Sequence, residues 1–566
     1  GTLPQVSWLV PPADFTEHPG GGAPSLGAYF IGQVLDALTA NPETWAKTVF
    51  FINYDENDGA FDHLAPPCPP SPLSSGGFAG KSTVDTTRDY MNVPNATNLD
   101  PGDGQPYGPG PRVPMFVVSP FSRGGFVNSE VHDHTSVLRF LEQRFGVMEP
   151  NISPWRRTVM GDLMSAFDFA NPNTDTRFIT SLPVQDPVTA FAQTLQQSAQ
   201  SYVEPPAEDA QSLPVQATGT RPARPLPYAL DVVSLADAAS GSVVLSFINH
   251  GTAGAVFHVY DRYHLEDIPR RYTVEAGKTL ADVWATDAAT GLYDLWVLGP
   301  NGFHRLFRGS RESGTVEVAS QMDVATLKLT LSLKNTGSTP AACAITAAAH
   351  RSDGPWALTL AAGATEKMSF ALTDSFGWHD FTLRGPGGLL RRIAGHLENG
   401  AASVSDPEMA TSQAVAAFAF ADKPNVPPST VVVSDAVALG GFSAYLPISA
   451  PTGTEFSLDG GPFVRSAPPV CTGQTVTLRH TSASALSAPT TSSVTVGTVT
   501  ATFKSITSST AVTPPSPPAP TPTPSPVVAP ASGRFGAGAL GELTLAALAA
   551  AAALKAHHSA QDPKTE

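Results

Sequence analysis

Two stretches of this chain, GLYDLWVLGPNGFHRLFRG (291–309) and GWHDFTLRGPGGLLRRIAG (377–395), spell one pattern, G-x-x-D-x-x-x-x-G-P-x-G-x-x-R-x-x-x-G, starting 86 residues apart. The same offset pairs Leu245, Ser246, Asn249 and Gly251 with Leu331, Ser332, Asn335 and Gly337, and Ala276-Gly277 with Ala362-Gly363. A constant spacing held over roughly 65 residues marks a duplicated structural unit rather than a chance motif. Within each copy short apolar-alternating runs are separated by Gly and Asn turns, which predicts a β-sandwich of about 90 residues. We place the copies at 227–312 and 313–400. A third alternating region, 427–508, reads as another sandwich-like module without a catalytic pattern.

At 566 residues there is room for three or four domains of roughly 100–200 residues each. Hydrophobic residues make up 42%, so a core can form, while only 14% are charged. Low charge with much Ser, Thr, Gly and Pro suits a secreted or cell-envelope protein. The formal net charge is -16 and no Lys/Arg cluster occurs, so nucleic acid is excluded as the main partner, because phosphate contacts need grouped cations. Cys68, Cys343 and Cys471 are widely spaced with no C-x-x-C, which reads as small core residues or a loop thiol and not as a zinc or disulfide framework. The N-terminus has no initiator Met, basic region or signal-type apolar core, so the chain is expected to be the C-terminal part of a longer protein.

Residues 1–205 read as α/β. LGAYFIGQVLDALTAN puts Leu26, Tyr29, Phe30, Val34, Leu35 and Leu38 on one helical face. TVFFINYD (48–55) and VPMFVVSP (113–120) read as apolar strands, and DHTSVLRFLEQRFG (133–146) as a second helix. Strands alternating with helices predict a largely parallel, buried sheet, in which polar ligand-binding residues gather at the carboxyl ends of strands. Asp55 and Glu56 follow the strand at 48–54, and Asp58, Asp62 and His63 come next. Two adjacent carboxylates suit a hard divalent cation, since like charges that close need a cation or a proton. Taken alone, such a pair is usually a solvated loop. His18 sits in a Gly/Pro loop leading into a helix. His132 and His134 flank Asp133 just before a helix; Asp133 reads as a helix cap, and His132 as an exposed imidazole beside it. Arg123 either meets an anion or pairs with a surface acid.

The motifs EHP, TVFFINYDENDGAFDHLAPP, YGPGPRVPMFVVSPFSRGGFVNSEVHDHTSVLRFLEQRFG and NISPWRRTVMGDLMSAFDF together resemble the bacterial phosphocholine-preferring phospholipase C family. That family is related to a bacterial acid phosphatase and to the alkaline phosphatase superfamily. The duplicated units resemble its paired C-terminal β-domains, so the resemblance runs to about residue 400. It implies a multidomain chain: the C-terminal half of an alkaline-phosphatase-like α/β domain, then β-sandwich-like domains. It further implies a Ser or Thr nucleophile, a phosphoenzyme and one divalent metal ion held by the nucleophile, a Glu-Asn pair and a D-E pair. Here Asp55 and Glu56 resemble the metal-binding pair, and His18 the histidine that contacts phosphate. Asp58, His63 and His134 fall within family motifs as further catalytic candidates. No ENRSFDH-like metal motif or nucleophile motif occurs in this chain, so alone it is expected to be inactive. The implied substrate is a phospholipid at a membrane surface. A phosphomonoesterase of the same superfamily and a non-catalytic adhesin of β-modules are the alternatives.

Between these regions 206–226 reads as a linker, and PPSPPAPTPTPSP within 513–533 as a stiff polyproline spacer. The segment 534–566 resembles a C-terminal sorting tail. Its apolar run 535–554 nearly spans a bilayer and implies transient inner-membrane anchoring and a sorting protease as partner.

Overall fold

The computed structural model describes residues 3–18, 22–57, 64–93, 102–182, 186–198, 204, 219–237, 240–288, 291–310, 315–351, 353–407, 415–440, 446, 448–458, 463–465, 470 and 475–510. The tail 534–566, the polyproline spacer, Cys471 and most of the 206–226 linker lie outside the described residues. Among the described residues no helix is long and apolar enough to cross a membrane.

Contacts divide the chain into two units. The first holds Gly1–Gly59, Val113–Gly125 and Ala166–Gln216, and the second Ala60–Arg112, Phe126–Ser165 and Ala217–Glu566. The stretch read as one block, 1–205, is thus shared between them. Within the second unit Phe78–Ser82 runs parallel to Arg270–Val274, and the Trp155 indole N–H donates to Thr273 Oγ1 at 2.9 Å. These pairings join residues some 120 to 190 positions apart, which local periodicity cannot show.

In the first unit the helix Pro24–Thr39 opens on Pro24, whose fixed φ suits the first helical turn. It buries Leu26, Gly27 and Leu35, and its Ser25 hydroxyl shares a hydrogen bond with Thr194 at 2.9 Å on the helix Pro187–Ser198. Asn41 caps the short helix Pro42–Trp45 through Thr44 N, 3.1 Å away, which buries Trp45 against Phe178. The strand Phe50–Asn53 follows.

That strand corrects the parallel-sheet expectation. It pairs antiparallel with Met115–Val118, Phe50 opposite Val118 and Asn53 opposite Met115. A parallel neighbour requires a crossover, usually a helix, that returns the chain to the end where it started. Among the described residues from 54 to 114 there is no α-helix, only short strands and a 3-10 turn. The chain re-enters where it left, with Tyr54 N donating to Pro114 O at 3.4 Å, so the second strand must run backwards. The pair is half-buried rather than fully buried, and Phe116 is 55% exposed.

In the second unit the duplication is visible strand by strand. Leu230–Asp237, Ser242–Asn249, Ala255–Asp261, Arg270–Val274, Thr279–Ala285, Leu292–Leu298 and His304–Ser310 recur as Val316–Asp323, Lys328–Asn335, Ala341–Ala349, Trp356–Leu360, Thr365–Ala371, Trp378–Arg384 and Leu390–His396. Each copy closes a three-stranded sheet over part of a larger sheet around its own apolar core, Phe247, Phe257 and Tyr272 in the first and Leu331, Phe370 and Phe381 in the second. Their last strands pair antiparallel, with Leu306 opposite Arg392. These two residues are repeat equivalents, so a local two-fold axis passes between them and the larger sheet runs through both copies. Further along the chain, strands from Lys423–Val426 to Val499–Thr507 enclose a third core that includes Val415, Phe456 and Phe503.

Candidate active site

The strand Phe50–Asn53 delivers Tyr54, Asp55 and Glu56 to its carboxyl end. Asp55 and Glu56 are both exposed, and among the described residues neither enters a salt bridge. Their charge is therefore left for solvent or a bound cation to balance. Tyr54 turns back instead: its hydroxyl donates to Glu17 Oε1 at 3.1 Å. Glu17 immediately precedes His18, so this bond ties the residue before the imidazole to the residue before the acidic pair.

Several features hold Glu17 in place. Its φ is +64°, a left-handed conformation that costs a non-glycine residue about 1–2 kcal/mol. Gly27, inside the helix Pro24–Thr39, makes room for it, because a Cβ there would lie 2.0 Å from Glu17 Oε1. A helix-interior glycine costs roughly 1 kcal/mol against alanine, and here it admits the carboxyl group. Gly22 N donates to His18 O at 2.9 Å and closes the loop. Burial raises the Glu17 carboxyl above its ordinary range, and the Tyr54 hydrogen bond partly opposes this. Burial, then the neighbouring Glu17, raises the Tyr54 phenol. The His18 side chain stays exposed.

The structure thus brings His18, Asp55 and Glu56 onto two loops joined by Tyr54 and Glu17. Asp58 and His63 lie outside the described residues. Among the described residues no group of three His, Cys, Asp or Glu side chains could hold a metal. The Asp55–Glu56 oxygens suit a hard divalent cation in donor chemistry, as part of a larger shell. Arg123 is committed to structure: its guanidinium donates to Asn173 Oδ1 at 3.2 Å and to the Asp175 carbonyl, and lies 5.1 Å from the Phe178 ring centre.

In the second unit the helix Thr135–Phe145 has His134 at its N-cap position with no side-chain cap bond, which corrects the expected Asp133 cap. Asp133, one residue earlier, accepts from Thr135 N through Oδ1 at 2.8 Å and pairs with Arg156. His134 is exposed. His132 is not, which corrects the expectation of an exposed imidazole there. Its Nε2 lies 3.7 Å from Glu130 Oε2 and only 15% of its side chain is exposed. Burial pushes its pKa down to about 4, so it is neutral at physiological pH. Ser165 donates to Glu130, and Asn128 donates to Ser165 at 2.8 Å. Gly161 closes the cluster, since a Cβ there would stand 2.6 Å from the Glu130 carboxyl and 2.8 Å from His132 Nε2.

Sequence reasoning missed Glu17, Tyr54 and the Glu130–His132 cluster. One signal was available for the first: a glycine inside a helical pattern marks close approach by another group.

Comparison with known proteins bears on the chemistry. Residues 1–148 match the phosphoesterase family, and 222–310 with 316–396 match the bacterial phospholipase C C-terminal domain. The matched stretches are thus a region similar to the phosphoesterase family and two copies of a domain similar to the bacterial phospholipase C C-terminal domain. It is 45% identical to a non-hemolytic phospholipase C of Pseudomonas aeruginosa, over 72% of this chain and 59% of that protein. It is 44% identical to a non-hemolytic phospholipase C of Burkholderia pseudomallei, over 73% of this chain and 58% of that one. A hemolytic phospholipase C of Pseudomonas aeruginosa is 39% identical over 72% and 57%. The chain spans about three-fifths of the length of these relatives.

Proposed function

We propose that this chain forms part of a secreted or envelope phospholipase C that hydrolyses phosphatidylcholine, and sphingomyelin as a second substrate, to a neutral lipid and phosphocholine. The observation that carries the reading is the placement of Asp55 and Glu56. They are adjacent, exposed and free of salt bridges among the described residues, and Tyr54 and Glu17 tether them to the His18 loop. The names of the relatives agree with this chemistry.

In this reading Asp55 and Glu56 hold one divalent cation. When bound, that ion neutralises negative charge on the non-bridging oxygens of the phosphodiester. His18 orients the phosphate or gives a proton to the departing alkoxide as the P–O bond to the lipid breaks. A Ser or Thr oxygen forms the new bond to phosphorus, and water later cleaves it to release phosphocholine. That nucleophile is assigned to no residue of this chain. Asp58, His63 and His134 stand as further catalytic candidates, and the apolar tail as a sorting-protease substrate.

The test is a protein extended to the length of its relatives and assayed on phosphatidylcholine, sphingomyelin and p-nitrophenyl phosphate. Phosphocholine release from the lipids is expected. Release of phosphate from p-nitrophenyl phosphate alone would overturn the reading in favour of a phosphomonoesterase.

A further inference from the structure

The loop 262–268 of the first repeat exposes three large apolar side chains in close succession: Tyr263 at 42%, Leu265 at 62% and Ile268 at 46%. Single exposed apolar residues are ordinary, but two features set this loop apart. First, its backbone is fixed in tight turns. His264 N donates to Asp261 O at 3.0 Å, Asp267 N to His264 O at 3.1 Å and Tyr263 N to Asp261 Oδ1 at 3.0 Å. The apolar groups are therefore presented by an ordered scaffold.

Second, the duplication supplies an internal control. At the same offset the second repeat has Ala349, Arg351 and Gly354. Arg351 folds inward there, pairing with Asp353 and lying 5.5 Å from the Trp356 ring centre. One architecture thus carries an apolar tip in one copy and none in the other, so folding alone does not require it.

Charge points to the kind of surface. Asp261, Glu266 and Asp267 surround the apolar tip. The nearby cations are paired: Arg262 lies 3.5 Å from Asp294, His264 lies 3.4 Å from Glu266, and Arg270, just beyond the loop, lies 3.4 Å from Asp282. An anionic bilayer attracts basic segments and repels acidic ones. A phosphocholine bilayer carries no net charge and presents its ammonium groups outermost, where carboxylates attract them.

We propose that the loop 262–268 docks the first β-repeat on zwitterionic, phosphocholine-rich membranes, with Tyr263, Leu265 and Ile268 entering the interface. This rests on the phospholipase C reading and adds the surface that would bring such an enzyme to its substrate. Interfacial binding strengthens with buried apolar area.

The experiment is hydrogen exchange on the full chain with and without phosphatidylcholine vesicles, read without turnover. Exchange across 262–268 should slow several-fold on vesicle addition, while 348–354 stays unchanged. The triple variant Y263S/L265S/I268S, altered only at exposed positions, should lose that protection, and its partitioning should weaken about tenfold or more. The proposal is overturned if vesicles leave 262–268 unchanged, if the triple variant keeps the protection, or if phosphatidylglycerol vesicles protect the loop more strongly. An extended protein that hydrolyses only p-nitrophenyl phosphate would remove the phospholipase reading and leave this docking result standing. Loss of loop protection with lipid turnover intact would do the reverse.

Discussion

The Tyr54 hydroxyl donates to Glu17 Oε1 at 3.1 Å, linking the loop of His18 to the loop of Asp55 and Glu56. Glu17 is partly withdrawn from water and keeps a left-handed backbone, so this bond helps hold a conformation that is unfavourable in isolation. Tyr54→Phe should lower stability by about 1 kcal/mol, the usual net worth of one such bond. Denaturant melts of Tyr54→Phe, Glu17→Ala and the double variant check the coupling. Additive effects would show that the two side chains do not interact.

Glu17 also sets a pH dependence. Its folded pKa is raised, so the folded state binds a proton more readily than the unfolded one. That contribution is fully present below the ordinary value of 4.5 and is lost as pH rises through the folded value. Glu17→Gln should therefore gain stability relative to the native protein at pH 7, and the gain should shrink on acidification to about pH 4. Melts at the two pH values decide it.

His132 has the opposite sign. Its folded pKa is about 4 against an ordinary 6.5, so between these values the unfolded chain binds more protons and stability falls as pH is lowered. His258, His304 and His379 are shifted down as well, chiefly by burial. His132→Gln should flatten only its own share of the acid slope. Gly161→Ala would force a methyl group into the Glu130–His132 cluster and should cost about 1–3 kcal/mol. Thermal melts from pH 7 to 4 measure both.

Asp55→Asn and Glu56→Gln should behave differently from these. Both sites are exposed, so the melting midpoint should move by no more than about 0.5 kcal/mol equivalent. In the extended protein, turnover of phosphatidylcholine should fall by about a hundredfold or more, and titration calorimetry should show weakened divalent-cation binding. Wild-type turnover in either variant would remove that residue from the metal site.

Some of this was legible in the sequence and some was not, for physical reasons. The 86-residue offset marked equivalent positions, and the strands recur at that spacing because turns and alternation are local properties. The acidic pair at a strand end was legible for the same reason. The antiparallel direction of Met115–Val118 was not, because strand direction depends on how the chain travels between 54 and 114. The burial of His132 was hidden too. It depends on Gly161 leaving space, and a missing side chain that far along the chain gives no periodic signal. The pairing of Leu306 with Arg392 is a contact between repeats, and neither copy encodes it alone.

The duplication leads to the last prediction. Asn249 and Asn335 are repeat equivalents, and each carboxamide does the same work. Asn249 Nδ2 donates to Ala253 O at 2.8 Å and Val274 O at 3.0 Å, while its Oδ1 accepts from Gly251 N at 2.9 Å. Asn335 Nδ2 donates to Thr339 O at 2.8 Å and Leu360 O at 3.1 Å, and its Oδ1 accepts from Gly337 N at 2.9 Å. Both side chains are about 1% exposed or less, so truncation leaves backbone groups unsatisfied without access to water. Asn249→Ala and Asn335→Ala should each cost about 1–3 kcal/mol. Asn→Asp should cost more at either site, because a carboxylate cannot donate and its charge would face carbonyl oxygens. Denaturant unfolding of the two pairs of variants checks this. A large loss in one repeat and none in the other would show that the shared bonds do not carry shared stability.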